Sequence, residues 1–129
     1  MSASYLILPE KKLIIGRFAG PTGADDIKRL LHKIWADPLF DRAFHLLMDF
    51  TRAVLRIGVA EVAGLCNGIM SIAGGVMGSA AILASGPVGT ALAMLFSKGL
   101  SLFTPSSVFS TWGAALDFLG VDLPEDPQG

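Results

Sequence analysis

The chain has 129 residues, of which 52% are hydrophobic and 16% are charged, and its formal net charge is −1. This length fits a single domain over residues 1–129, and so apolar a chain is not intrinsically disordered. The small net charge provides no field that would attract nucleic acid. A single cysteine excludes an internal disulfide and a cysteine-based zinc site, and the lack of a secretory signal pattern at the amino terminus favours the cytoplasm.

The chain begins with two short β-type segments. Ser4–Leu8 and Lys12–Phe18 are separated by Pro9-Glu10-Lys11, a composition typical of a turn, so they predict an antiparallel hairpin. Residues 19–23, which include two glycines and a proline, have loop composition. The first helix is therefore expected to begin after this segment.

The helix after this loop has the clearest pattern in the chain. Thr22 and Asp25 match the Ser/Thr-x-x-Asp/Glu motif, in which side chains cap the free backbone N–H groups of a helix start. Asp37-Pro38 is expected to end the helix. The apolar residues between these positions recur at i, i+3, i+4 and i+7 and therefore share one face: Ile27, Leu30, Leu31 and Ile34.

The segment Phe44–Ala53, with the sequence FHLLMDFTRA, is an apolar run of strand length. It predicts a buried central strand, with Asp49 near its carboxyl end. Residues 51–58, which include Arg52 and Arg56, are predicted to form a basic link from this strand to the next helix.

The carboxyl half is predicted to alternate helices and strands. Two apolar runs, Met77–Ala84 and Leu102–Phe109, are interpreted as strands, and Pro105 places the second at an edge of the sheet or at a bulge. Ser110 is expected to cap the last helix, and the tail at residues 121–129 is expected to be flexible. The three predicted helices are Val59–Ala73, Pro87–Gly99 and Thr111–Leu119.

The resulting order is β-β-α-β-α-β-α-β-α, with five strands and four helices. Strands that alternate with helices pair in parallel through right-handed crossovers. The predicted fold class is therefore α/β, with a mainly parallel sheet that has a hairpin at its start.

Charge is distributed unevenly along the chain. Between Ile57 and Leu116 the only charged residues are Glu61 and Lys98. The uncharged run at residues 62–97 is long enough for two membrane-spanning helices, but glycine and proline divide it into pieces of about a dozen residues, whereas a crossing needs about 20. A buried core is therefore favoured over an integral membrane protein, while contact with a membrane surface stays open.

Three segments carry a resemblance that covers nearly the whole chain: LLMDFTRA followed by an amphipathic helix, AAILASGPVGTALAMLF, and VFSTWGAALDFL. In these segments and in element order, the chain resembles the SpoIIAA-like proteins, which are related in fold to STAS domains, the anti-sigma-factor antagonists. The resemblance implies a small α/β domain, often paired with a second copy, that acts through its surface. A further branch of this broad fold binds apolar ligands.

The resemblance also concerns a phosphorylation site. In the antagonist branch a kinase phosphorylates a serine at the start of the helix after the central strand. The matching segment here is Arg56-Ile57-Gly58-Val59, which has no hydroxyl, while Thr51 lies earlier and Ser71 much later. This departure argues against partner switching controlled by phosphorylation.

Several polar residues near predicted strand ends are candidates for binding. Asp49 fits either a general acid or base or a structural cap, and no second carboxylate or histidine near it completes a catalytic pattern. The turn Ser85–Thr90 fits either an anion site at a helix start or an ordinary strand-to-helix turn. His32 and His45 lack metal-ligand spacing, so no metal or other cofactor is expected. The candidate binding residues are Asp49, Thr51, Arg52, Arg56, Ser85, Gly86 and Thr90.

The predicted helix Val59–Ala73 has one apolar face and one small, weakly polar face. A helix in water usually carries long charged side chains on such a face. The uncharged helix surfaces are therefore predicted to contact protein, with an interface at Glu61, Gly64, Gly68, Ser71 and Met94.

Three functions fit these features to different degrees. A non-enzymatic protein-interaction domain with a regulatory role, assembled as a homodimer, is favoured. A carrier of a lipid or other apolar small molecule is the alternative, and it predicts an internal cavity between the sheet and the helices at 59–73 and 87–99. An enzyme that uses Asp49 with Arg52 or Arg56 is least favoured, because it needs a polar pocket at the carboxyl end of the strand.

Overall fold

The computed structural model describes residues 2–73 and 78–123. Over these residues it contains five strands and four helices in the predicted order, with a 3-10 turn at Pro9–Lys11. The strands are β1 (Ser2–Leu8), β2 (Leu13–Thr22), β3 (His45–Leu55), β4 (Ala80–Leu83) and β5 (Ser106–Phe109). The helices are α1 (Ala24–Ala36), α2 (Val59–Ala73), α3 (Pro87–Leu100) and α4 (Trp112–Leu119).

The strands form one sheet in the order β1-β2-β3-β4-β5. β1 pairs antiparallel with β2 and the other neighbours pair in parallel, so the sheet is mixed and mainly parallel, as predicted. β5 lies at the edge, which accommodates Pro105 immediately before the strand. Each helical connection leads to the adjacent strand position, as is usual for consecutive elements.

The helices cover the two faces of the sheet unequally. Residues of α1, α2 and α3 form the main core with one face of the sheet, whereas α4 forms a second, smaller core with the other face. Along β3, Leu46 and Met48 belong to the main core and Leu47 to the second, as the alternation of a strand requires. The predicted apolar face of α1 is confirmed, because all four of its residues are buried: Ile27, Leu30, Leu31 and Ile34.

The predicted loop at residues 19–23 is wrong, because β2 continues to Thr22. Residues 19–22 pair in parallel with residues 52–55 of β3. Strand pairing uses the backbone N–H and C=O groups, and every residue except proline has both. The amino-acid composition of residues 19–22 therefore did not reveal that they form a strand. Gly20 has a φ of +75°, which a glycine adopts without steric cost.

The predicted cap at Thr22 is also wrong. Thr22 is buried, and its hydroxyl donates to the Gly20 carbonyl oxygen at 3.0 Å. α1 begins after Gly23, whose N–H donates to Asp26 Oδ2 at 2.8 Å, so Asp26 rather than Asp25 provides the capping carboxylate. This hydrogen bond lowers the pKa of Asp26.

The observed bounds of β3, β4 and β5 differ from the predicted ones. β3 extends to Leu55, two residues beyond the predicted end of the strand at Ala53, so the link begins only at Arg56. β5 is shorter than Leu102–Phe109, because the N–H groups of Phe103 and Thr104 donate to the Leu100 carbonyl oxygen at 2.9 and 3.0 Å and continue α3 as turns. The strand predicted at Met77–Ala84 begins at Ala80, and Met77 lies outside the described residues.

The last helix also begins one residue later than predicted. Thr111 rather than Ser110 caps α4, since Thr111 Oγ1 accepts from the Ala114 N–H at 3.3 Å. After α4, Val121 and Leu123 pack against the second core. Residues 124–129, the rest of the tail that was predicted to be flexible, lie outside the described residues.

Candidate interaction groove

β2 and β3 extend together beyond the ends of β4 and β5. β3 pairs with β4 over residues 46–49 and continues beside β2 to Leu55. After the pair Arg17–Asp49, β3 contains one residue more than β2 before the register resumes, which is a β-bulge. A bulge increases the local twist of a strand pair. The result is a two-stranded extension beside the start of α3.

A hydrogen bond connects this extension to the segment before α3. The Ser85 hydroxyl donates to the Thr51 carbonyl oxygen at 3.0 Å. Gly86 follows as the N-cap of α3, with a φ of +75° that favours glycine. Three of the predicted binding residues therefore lie together: Thr51, Ser85 and Gly86.

An open groove lies between the β3 extension, the start of α2 and the outer side of α3. Its volume is about 870 Å³, and its lining is mostly apolar. Four lining side chains are between 41% and 72% exposed: Val54, Val59, Val88 and Leu95. Single exposed apolar residues are common on protein surfaces, but a group of them around one concave surface makes the groove a candidate interaction site.

Beneath the floor of the groove, the main core contains a small apolar cavity. Its volume is about 10 Å³, roughly the space of one water molecule. Leu55, Ile57 and Leu92 line both the groove and this cavity. A cavity of this size is too small for an alkyl chain.

One arginine lines the groove and a second lies on the strand outside its lining. Arg56 lines it, and Arg52 is exposed on the same face of the β3 extension as Val54. This placement follows from strand alternation, since the intervening Ala53 and Leu55 pack against the main core. Among the described residues, the side chains of Arg52 and Arg56 have no hydrogen-bonding or ion-pair partner.

The acidic residues nearest to these arginines in sequence, Asp49 and Glu61, both contact other groups. Glu61 Oε1 accepts a hydrogen bond from the Gly58 N–H at 2.7 Å and so caps α2. The interface role of Glu61 stays a prediction. The contact observed for its side chain is the hydrogen bond that caps α2.

Asp49 belongs to a polar network on the α4 side of the sheet. Its carboxylate accepts from Arg17 at 3.2 Å, and from the N–H and hydroxyl of Thr51 at 2.9 and 2.6 Å. The Arg17 guanidinium carbon lies 5.6 Å from the ring centroid of Trp112, within the range of a cation–π interaction. Asp49 therefore connects β2 and β3 beneath the start of α4. Sequence reasoning missed Arg17, because a lone arginine within an apolar strand has no distinctive pattern.

No protein-family model matches the sequence, and no curated protein matches it. Among solved structures, the chain is similar to an uncharacterized protein of the DUF3478 family from Shewanella loihica, described as having a SpoIIAA-like fold. The TM-score is 0.58 at 14% identity, and the match covers 92% of each chain. The fold is SpoIIAA-like.

A second similar structure is the anti-sigma factor antagonist SpoIIAA in its unphosphorylated form. The TM-score is 0.46 at 14% identity, and the match covers 90% of this chain and 96% of that chain. The fold rests on the first of these structures, and identities this low show nothing about activity.

Within the SpoIIAA-like fold, the predicted interface residues do not form one surface. Gly64 and Ser71 are exposed on the outer side of α2. Gly68 is partly covered, because a Cβ at this position would lie 3.1 Å from Cε of Lys28 on α1. Met94 lies on the other side of α3, where it lines a depression of about 390 Å³ beside β5 together with Thr90.

Two helices of the SpoIIAA-like fold cross closely at Cys66 and Gly99. A Cβ at Gly99 would lie 2.6 Å from Cys66 Sγ, and this thiol donates to the Phe96 carbonyl oxygen at 3.5 Å. Burial raises the pKa of the Cys66 thiol, which favours its protonated form. The prediction of Cys66 as a small core residue is confirmed.

Two further properties concern the described part of the SpoIIAA-like fold. Across residues 2–73 and 78–123, no helix is both long enough and apolar enough to cross a membrane. Over the same residues, no group of three or more His, Cys, Asp or Glu side chains is arranged to hold a metal ion.

Proposed function

We propose that this protein is a non-enzymatic interaction domain with a regulatory role, and that it binds a protein partner in the groove between the β3 extension and α3. The supporting observation is the group of exposed apolar side chains around that groove: Val54, Val59, Val88 and Leu95. Their exposure to water is unfavourable, and burial against a partner removes it. The single buried thiol is in keeping with the cytoplasmic location that the sequence favours.

The contacts of the Asp49 side chain support a non-enzymatic function. A general acid or base needs a positioned partner and access to substrate. The Asp49 side chain is instead held by Arg17 and Thr51.

Self-association is a separate part of the proposal. The exposed, uncharged surface of α2 around Gly64 and Ser71, and Met94 on α3, are the surfaces proposed to contact a second copy. Stable interfaces bury about 800 Å² on each partner. Sedimentation velocity at micromolar concentration tests this part, and a stable monomer would contradict it without affecting the groove.

Site-specific photo-crosslinking tests the groove. A benzoylphenylalanine is introduced at Val88 in the native host, and at the exposed residue His32 of α1 as the matched control. A defined protein adduct is expected at position 88, absent at position 32 and abolished by Leu95→Glu. No adduct at position 88, or the same adducts at both positions, would contradict the proposal.

The second candidate function is a carrier of an apolar small molecule. It is supported by the continuity between the groove and the apolar cavity through Leu55, Ile57 and Leu92. Such a ligand requires the floor to open, since the cavity of about 10 Å³ is too small for it. Native mass spectrometry of freshly purified protein should then show a bound apolar compound, and a mass equal to the bare chain would contradict this candidate.

A further inference from the structure

We infer that the partner segment bound in the groove is an amphipathic helix whose apolar strip is flanked by acidic side chains. This inference rests on the proposed function and adds the chemistry of the partner. It follows from the charge of the groove, from the spacing of its apolar side chains and from the shape of its floor.

The charge of the groove is positive on its strand side. Arg56 follows β3 directly and lines the groove, and Arg52 lies on β3 two residues before the lining residue Val54. Neither arginine has a side-chain partner among the described residues. Arginine can bind carboxylates in a bidentate geometry. Among the described residues, neither Asp49 nor Glu61, the acidic residues nearest in sequence, forms an ion pair with these arginines, so both guanidinium groups are open to carboxylates of a partner.

The start of α3 adds to the positive charge at the groove. Pro87 and Val88, the first two residues of α3, line the groove. The N-cap is Gly86, which has no side chain to accept a backbone N–H, and the first turn contains no acidic residue. The positive end of the helix dipole is thus uncompensated beside the two arginines.

The spacing of the apolar residues suits a helical partner. Val88, Leu92 and Leu95 recur at i, i+4 and i+7 along α3, so they form a strip about 10 Å long. A partner helix of two or three turns matches this length with its own residues at i, i+3 or i+4, and i+7. Val54 and Val59 form the opposite wall.

The shape and charge disfavour other occupants. The floor leads to a cavity of about 10 Å³, which does not enclose an alkyl chain. Two arginines fall short of the roughly four to eight basic residues that attract anionic membranes. A second copy placed groove to groove would bring two surfaces of the same positive sign together, which is unfavourable.

The test is a selection of random 16-residue peptides displayed on phage against the full chain. Enriched peptides are synthesised, and their affinities are measured by fluorescence anisotropy at 50 and 500 mM NaCl. We expect peptides with Asp or Glu beside apolar residues at helical spacing, and at least tenfold weaker binding at high salt. Enrichment of neutral or basic peptides would overturn the inference.

Charge reversal provides the decisive comparison. Arg52→Glu with Arg56→Glu is expected to weaken the enriched peptides at least tenfold and to redirect a new selection toward basic peptides. The control is Lys12→Glu with Lys33→Glu, which makes the same net charge change at exposed positions away from the groove, and it should alter affinity less than twofold. Circular dichroism melting verifies that both variants are folded. Equal effects of the two variants would overturn the inference.

Groove substitutions separate this inference from the proposed function. If Val88→Glu and Leu95→Glu abolish peptide binding while the arginine reversal has no effect, the groove binds protein but the acidic partner chemistry is wrong. If none of these substitutions affects peptide binding, both the groove and the inference fail. Groove-dependent binding to phosphatidylglycerol vesicles, or groove-dependent self-association, would likewise overturn the inference in favour of a membrane or a second copy.

Discussion

Replacing Gly99 with alanine is expected to have opposite effects on stability depending on the residue at position 66. An alanine Cβ at position 99 would lie 2.6 Å from Cys66 Sγ and 3.3 Å from Cys66 Cβ. The first distance is far inside the contact distance of about 3.5–4.0 Å, whereas the second is only slightly tight. The sulfur atom is therefore the main obstacle at this helix crossing.

The magnitude follows from two opposing contributions. Overpacking a filled core costs about 1–3 kcal/mol, whereas alanine is favoured over glycine within a helix by about 1 kcal/mol. Gly99→Ala alone should lower the free energy of unfolding by up to about 2 kcal/mol. In a Cys66→Ala background the sulfur is absent, and the same substitution should raise the free energy of unfolding by about 0.5–1 kcal/mol.

Urea denaturation of the four proteins in this double-mutant cycle measures the coupling. Gly64→Ala is the matched control, because a Cβ at this helical glycine would meet no atom within 4 Å. It should stabilise the protein by about 0.5–1 kcal/mol whichever residue is at position 66. If Gly99→Ala has the same sign and size in both backgrounds, the crossing is not limited by the thiol and the reasoning is refuted.

Three further substitutions test other contacts. The Leu39 N–H and the Tyr5 hydroxyl lower the pKa of Asp37, so its stabilising effect is present above the unfolded-state pKa of about 3.9 and is lost as the pH falls. Tyr5→Phe should therefore reduce the loss of stability on acidification, and an unchanged acid denaturation profile would contradict this. Asp49→Asn removes an ion pair and should lower the free energy of unfolding in urea by about 1–3 kcal/mol, while groove binding measured by anisotropy stays unchanged. Gly78→Ala places a Cβ against the main-chain oxygen of Phe44 and should lower the free energy of unfolding by more than about 2 kcal/mol, so an unaltered urea midpoint would exclude that close approach.

Local sequence patterns predicted the element order and much of the core. The helical spacing of Ile27, Leu30, Leu31 and Ile34 identified the buried face of α1. Pro105 limited the last strand to an edge or a bulge, and β5 lies at the edge. These features depend on the periods of helices and strands and on the missing N–H of proline, which are properties of neighbouring residues. They could therefore be inferred without knowing any partner in space.

The groove and the polar network depended on contacts between distant residues. Arg17 and Asp49 are 32 positions apart, and parallel strand register alone brings them together. The β2–β3 extension was missed because residues 19–22 have the composition of a loop. They form a strand because their backbone pairs with β3.

The sequence by itself determined that the carboxyl half carries almost no charge, and hence that its helices would present apolar and small side chains. The tertiary structure alone decided where that surface is concave and which charges border it. Val54, Val59 and Val88 come from three separate elements, and Arg52 and Arg56 reach the same place because a bulged strand runs past its neighbour. The spacing of hydrophobic residues is a local property of the chain. The shape of the groove depends instead on where the pairing between strands distant in sequence stops.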